Sequence, residues 1–237
     1  MTRQRRCKPR CKFGQRHRSD NVPRPSLVIF DCDGVLVDSE RIGHGTLVEM
    51  ANEHGYAITI ADSYRQYMGW RMPDVIAHIE TEIGKSLPSG WLDEFTRRRD
   101  AVLEKDLKPV AGIEGVLDAL AAAGINTCVA SSGSVRKMRF TLGLTNLARY
   151  FGDRLYSTWD LERGKPFPDI FLHAATSQKT GPDACVVIED SPAGAQAAKA
   201  AGMPCFGYAA DSDSGALQAH GATVFLRMAD LPGLLGL

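Results

Sequence analysis

No run in this 237-residue chain approaches the roughly 18 consecutive apolar residues that a membrane helix needs, so no membrane partner is expected. Net formal charge is also missing, with 28 Lys and Arg against 28 Asp and Glu. The balance is uneven along the chain. Residues 1–25 carry nine basic residues against the single acid Asp20, a net of +8, and leave a body of net −8. An acidic body does not point to nucleic acid as the main partner. The same amino-terminal segment has almost no apolar residues, cannot offset the entropy of ordering by burial, and is expected to be a disordered basic tail. It lacks the apolar stretch of a secretory signal and the serine and apolar content of a transit peptide. An upstream-extended start accounts for it as well as any function does. Cys7, Cys11 and His17 have neither the number nor the spacing of a closed zinc site. Four of the six cysteines, Cys32, Cys128, Cys185 and Cys205, fall in or beside expected core strands, where a free thiol packs as a small hydrophobe. That usage points to a reduced, cytoplasmic chain. No internal repeat is present.

What is there is organised around residues 27–40, LVIFDCDGVLVDSE. Leu27 to Phe30 is a short continuous apolar run, as expected of a parallel strand buried on both faces. Asp31 closes it, Asp33 follows, and Gly34 lets the chain turn, so both carboxylates should emerge at the carboxyl end of a central strand, where open α/β sheets bind ligands. Two acids this close stay ionised only beside a cation or bound donors. A hard Mg²⁺, which takes one or two carboxylates together with phosphate oxygens and waters, fits that need. A calcium loop starting at Asp31 would need glycine at position 36 and glutamate at 42. The chain has Leu36 and Ile42 there.

Residues 40–106 read as four helices without strands, over 40–54, 61–68, 73–83 and 89–105. Val75, Ile76, Ile79 and Ile83 mark the inner face of the third, and Trp91, Phe95 and Val102 that of the fourth. Around this helical bundle, residues 26–39 and 107–237 form an α/β core. Strands are expected at 125–130, near 155–156, at 184–188, near 204–206 and near 223–225, and helices at 113–124, 135–142, 169–177 and 193–201. That alternation implies a doubly wound parallel sheet. Three of its strands end in Asp31 with Asp33, Ser131 with Ser132, and Glu189 with Asp190. Lys165 sits in a loop stiffened by Pro166 and Pro168. Alone, a strand-end serine is usually a helix cap and a loop lysine is usually solvated. Their joint order is specific.

These residues resemble the haloacid dehalogenase superfamily of aspartate-dependent phosphotransferases. The stretch 31–35 resembles its first motif, Ser131 the second, Lys165 the third and Glu189-Asp190 the fourth. The phrases DCDGVLVDSE, GKPFPDIF and EDSPAGAQAAKAAGM resemble the subgroup with a helical cap inserted after the first motif, which includes phosphoglycolate phosphatase, sugar-phosphate phosphatases and β-phosphoglucomutase. Dehalogenases of the superfamily lack the second aspartate, so Asp33 favours phosphoryl transfer.

The resemblance implies a Mg²⁺-dependent phosphatase acting on a small phosphorylated metabolite, such as a sugar or sugar-acid phosphate. Asp31 is the expected nucleophile and Asp33 the acid and base. Mg²⁺ is expected among Asp31, Asp33, Glu189 and Asp190, and the phosphate at Ser131, Ser132 and Lys165. Arg71 resembles a cap arginine that contacts substrate, with Arg97, Arg98 and Arg99 offering further charge. The alternative is a β-phosphoglucomutase-like isomerase. Against it, Gly43 stands where those enzymes carry a histidine, and His44, one residue and about 100° further round the helix, should point away. Cys32 is expected to be an inert core thiol. A monomer is the default.

Overall fold

The computed structural model describes residues 24–237. The basic tail expected over 1–25 therefore lies, up to residue 23, outside the described residues. Strand β1 (Leu27–Phe30) is followed by helices α1 (Glu40–Glu53), α2 (Ile60–Tyr67), α3 (Met72–Ile83) and α4 (Trp91–Asp106). The chain then alternates through α5 (Ile113–Ala122), β2 (Asn126–Ser131), α6 (Val135–Leu144), α7 (Ala148–Phe151), β3 (Leu155–Ser157), α8 (Asp169–Ser177) and β4 (Cys185–Glu189). It closes with α9 (Pro192–Ala200), β5 (Cys205–Tyr208), α10 (Ser214–Ala219), β6 (Thr223–Phe225) and α11 (Leu231–Leu234).

All six strands are parallel, in the order β3-β2-β1-β4-β5-β6. The first strand therefore lies in the interior of the sheet, where successive connections leave in opposite directions, the place at which such sheets open a crevice. Alternate residues of β1 serve opposite faces. Val28 and Phe30 join α5 and α6 residues such as Leu117 and Met138 in one core. Leu27 and Ile29 join Phe171, Ala195 and Ala198 of α8 and α9 in the other. The alanines of α9 let that helix lie close on the sheet. Register sets the site: Phe30 is level with Val129 of β2 and Ile188 of β4, so the next residues, Asp31, Ala130 and Glu189, emerge along one edge.

The α1–α4 bundle has its own core of Leu47, Met50, Tyr67, Val75, Ile79, Trp91 and Phe95. Its fourth helix is rotated from expectation. Val102 is exposed, and Arg99 and Leu103 take the buried positions. The chain stretches leading to and from the bundle run side by side, with Asp38 N donating to Lys108 O and Val110 N to Leu36 O. Among the described residues, no helix is long and apolar enough to cross a membrane.

Candidate active site

Asp31 leaves β1 with its amide still bonded to Ile188 O, at 2.9 Å. One carboxylate oxygen, Oδ1, lies 2.5 Å from Lys165 Nζ, and the same ammonium lies 2.5 Å from Glu189 Oε1. Lys165 and Glu189 side chains are 1% and 0% exposed. Burial pushes the Asp31 carboxyl from 3.8 up to about 8; Lys165 opposes this, and Glu189 and Asp33 add to it. Burial acts to lower the Lys165 ammonium, but Asp31 and then Glu189 outweigh it and hold it above its ordinary value. Asp31 Oδ2 has no hydrogen-bond partner among the described residues. A carboxylate held by one oxygen, in a residue that lines a cavity, can act as a nucleophile.

Glu189 is committed on both sides. Its Oε2 accepts from Asp190 N at 2.9 Å, Ser191 N at 2.8 Å and Ser191 Oγ at 2.9 Å. Ser191 in turn caps α9, accepting from Gly194 N at 3.0 Å. Position 194 has no room for a side chain, because a Cβ there would overlap the Glu189 carboxylate. Both oxygens thus accept hydrogen bonds, and Glu189 holds Lys165 in place.

Asp190 differs. Its carboxylate, in a residue 6% exposed, lies against the backbone of Gly34, where a Cβ would overlap it. No described residue donates a hydrogen bond to it. Burial pushes its carboxyl well up, and Glu189, Glu40 and Asp31 add to that. A buried carboxylate with acidic neighbours and no donor is a poor resident unless a cation joins it. Asp31 and Asp190 are two hard oxygen donors, which suits an ion that takes one or two carboxylates and fills its remaining positions with waters and phosphate. No group of three or more His, Cys, Asp or Glu converges as a metal cage among the described residues.

Asp33 is gripped through Oδ1, by Ser39 Oγ and by Lys137 Nζ at 2.8 Å. Burial works to raise its carboxyl, but Lys137 and Ser39 outweigh it and lower the group overall. Its Oδ1 is thereby engaged, and Oδ2 has no partner among the described residues. Cys32 turns into the core, with Sγ 3.9 Å from Thr141 Oγ1. Burial, then Asp33 and Asp31, push the thiol well up, as expected of an unreactive cysteine.

The acids open onto a cavity of about 790 Å³ between the sheet edge and the helical bundle, lined among others by Ser131, Lys137, Trp70 and Arg99. Ser131 Oγ accepts from Gly133 N at 3.0 Å, which leaves its proton free to donate. Ser132 spans to the bundle, giving its hydroxyl to Gly69 O at 2.7 Å. Arg71 is not among the lining residues. Its guanidinium forks onto Asp74, at 2.7 and 2.9 Å, so a nearby carboxylate on its own helix has taken the fork expected to reach substrate. His44 also departs from expectation, since it borders the cavity. Both ring nitrogens are used, one 2.7 Å from Ser63 Oγ and the other 2.9 Å from Glu40 Oε2.

Sequence reasoning missed Lys137 and Asp100, the buried acid that pairs with Arg99 at 2.7 Å and with Arg136 of α6 at 3.0 Å. A signal existed. Arg136 and Lys137 occupy the first turn of α6, the positive end of a helix, where a cation is unfavourable unless an acid meets it.

The family model described as haloacid dehalogenase-like hydrolase matches residues 25–202. The chain is 32% identical over 214 residues to 6-phosphogluconate phosphatase of Escherichia coli (strain K12), covering 90% of this chain and 96% of that protein. Among solved structures, a haloacid dehalogenase-like protein of unknown function from Agrobacterium tumefaciens is 35% identical, with a TM-score of 0.73 over 89% of this chain and 97% of its own. A HAD family hydrolase from Deinococcus radiodurans R1 with bound phosphate and sodium is 29% identical, with a TM-score of 0.70 over the same shares of the two chains.

Proposed function

The chain belongs to the haloacid dehalogenase-like hydrolases, and we propose that it is a Mg²⁺-dependent phosphatase working through an aspartyl-phosphate at Asp31. The observation that carries this reading is the pair of free oxygens. Asp31 and Asp33 each have Oδ1 held by a lysine and Oδ2 without a partner among the described residues. Asp31 Oδ2 attacks phosphorus in line with the ester oxygen, and that phosphorus–oxygen bond breaks as Asp33 hands the leaving oxygen a proton. Asp33 then takes a proton from water, which attacks phosphorus, frees phosphate and restores the Asp31 carboxylate. Ser131 Oγ and neighbouring amides hold the phosphoryl oxygens. Lys165 offsets charge on Asp31 and Glu189 throughout.

Asp31, Asp190 and the Asp33 carbonyl would hold Mg²⁺, which supplies charge neutralisation on the phosphoryl oxygens. Residues 40–106 serve as the cap and the remainder of 26–237 as the core. The 6-phosphogluconate phosphatase relative supports a sugar-acid phosphate as substrate, a small metabolite met by a cytoplasmic monomer. Gly43 lines the cavity but offers it no side chain, and His44 has both nitrogens engaged, so the isomerase reading has less support. Phosphate release from a panel of sugar and sugar-acid phosphates, with Mg²⁺ or with EDTA, tests the reading. Mg²⁺-dependent release is expected, with 6-phosphogluconate among the substrates. Release that EDTA leaves intact refutes the metal, and interconversion of glucose phosphates with little free phosphate refutes the hydrolase.

A further inference from the structure

The contact between Lys137 and Asp33 lies within the core, although the neighbouring Arg136 pairs with Asp100 of the helical insert. Helix α6 lies against the sheet and the turn that follows β1. Thr141, fully buried on α6, faces Cys32 at 3.9 Å, and Lys137, one turn earlier on the same side, faces Asp33 at 2.8 Å. The first turn of α6 is fixed in place by Ser134, whose hydroxyl accepts from Lys137 N at 3.3 Å, and by Thr141 Oγ1 donating to Lys137 O at 3.1 Å. Beside it, a Cβ built on Gly133 would lie 3.3 Å from Lys137 Cδ, 3.4 Å from Ser131 Oγ and 3.6 Å from Asp33 Oδ2. The three polar side chains therefore surround one backbone position in the floor of the cavity.

The contacts of Asp33 divide between its two oxygens. Oδ1 receives both Lys137 and Ser39, and Oδ2 receives nothing among the described residues. A carboxylate pinned in this way cannot rotate to exchange its oxygens without breaking an ion pair and a hydrogen bond. We propose that Lys137 is a positioning residue for phosphoryl transfer, fixing Asp33 so that Oδ2 is the atom that gives and takes the proton, whether the insert is open or closed over substrate. The inference rests on the assignment of Asp31 and Asp33 made above, and it adds a reason for hydrolysis. An enzyme that passes its phosphoryl group to a second substrate gains by aligning its base only when that substrate has closed the site. Here the base is aligned by Lys137 from the sheet side, and water can be activated as soon as the first product leaves.

Stopped-flow hydrolysis of p-nitrophenyl phosphate in Mg²⁺ tests this. Its leaving group needs little help from an acid, so forming the aspartyl-phosphate should survive loss of alignment, whereas hydrolysing it should not. Lys137→Met is expected to lower kcat by about 10²-fold, the scale of a misplaced catalytic group, and to leave KM within about threefold. It should also show a burst of p-nitrophenolate near one per active site, with phosphoprotein recovered on acid quench. Lys137→Arg, which keeps the cation, should recover kcat to within about tenfold of the parent. Adding Lys137→Met to Asp33→Asn should cost no more than Asp33→Asn alone. Lys137→Gln replaces the methionine variant if melting shows the latter unfolded. A kcat within about threefold of the parent overturns the inference, as does an equal fall in kcat without a burst. A rise in KM alone also overturns it, marking Lys137 as a substrate-binding cation. A parent that releases no phosphate, or an Asp31→Asn variant that still turns over, removes the underlying reading as well; normal behaviour of both isolates the failure to Lys137.

Discussion

Removing the cation from the Asp31–Lys165–Glu189 cluster is a severe perturbation with a calculable size. Lys165 and Glu189 side chains are 1% and 0% exposed and 2.5 Å apart, so no solvent screening discounts their interaction. In Lys165→Met the methionine fills most of the volume, and the Glu189 carboxylate keeps the donors from Asp190 N and Ser191 but loses its only counter-charge among the described residues. Leaving a buried charge unpaired costs about 3–5 kcal/mol. For a chain of this size each kcal/mol shifts the melting temperature by about 2–4 °C, so a fall of roughly 6–20 °C is expected. The assay is a calorimetric melt of the metal-free protein. One control fixes the cause. Lys165→Met combined with Glu189→Gln should melt above Lys165→Met alone, because the amide needs no counter-charge. A Lys165→Met protein melting within about 2 °C of the parent would refute the reasoning.

A pH effect follows from Asp31, which burial pushes from 3.8 up to about 8 in the metal-free chain. The folded state holds that proton more tightly than the unfolded state, so the stability it contributes is complete below about pH 4 and is lost as pH rises through about 8. The melting-temperature difference between parent and Asp31→Asn should therefore move against the parent from about pH 5 to 8, and a change of the opposite sign would contradict the assignment. Gly34→Ala combines a backbone at φ +74° with a Cβ that overlaps Asp190, so calorimetric titration should find Mg²⁺ affinity reduced at least about tenfold. Arg71→Ala removes a partly exposed fork onto Asp74 and should change KM by less than about threefold, the scale of a surface pair; a larger rise would return Arg71 to the substrate.

The strand ends were legible because a fully buried parallel sheet leaves only its edge for polar residues. LVIF could go nowhere but the interior, and the acids and serines that follow each apolar run are brought together by register alone. Side-chain partners were less legible. Arg71 met a carboxylate three residues away, and nothing in its spacing distinguishes that from a reach into the cavity. On α4 the apolar spacing favoured Val102, but Leu103 completes the buried stripe with Trp91 and Phe95, and Arg99 is buried by pairing with Asp100. The short helices α7, α10 and α11 hold four to six residues each, too few to establish a period. Lys137 escaped because a helical lysine is ordinarily solvated, and only its unfavourable place at a positive helix end marks it.

The central claim is that phosphate passes through Asp31. Acid quench of the parent during turnover with Mg²⁺, borohydride reduction of any acyl phosphate and peptide mapping tests it most directly. A reduced side chain at position 31 and no other is predicted, together with its absence from Asp31→Asn, whose turnover should fall more than about 10³-fold, as on losing a nucleophile. Label on a different residue, or an Asp31→Asn protein within about tenfold of parent turnover, would contradict the account.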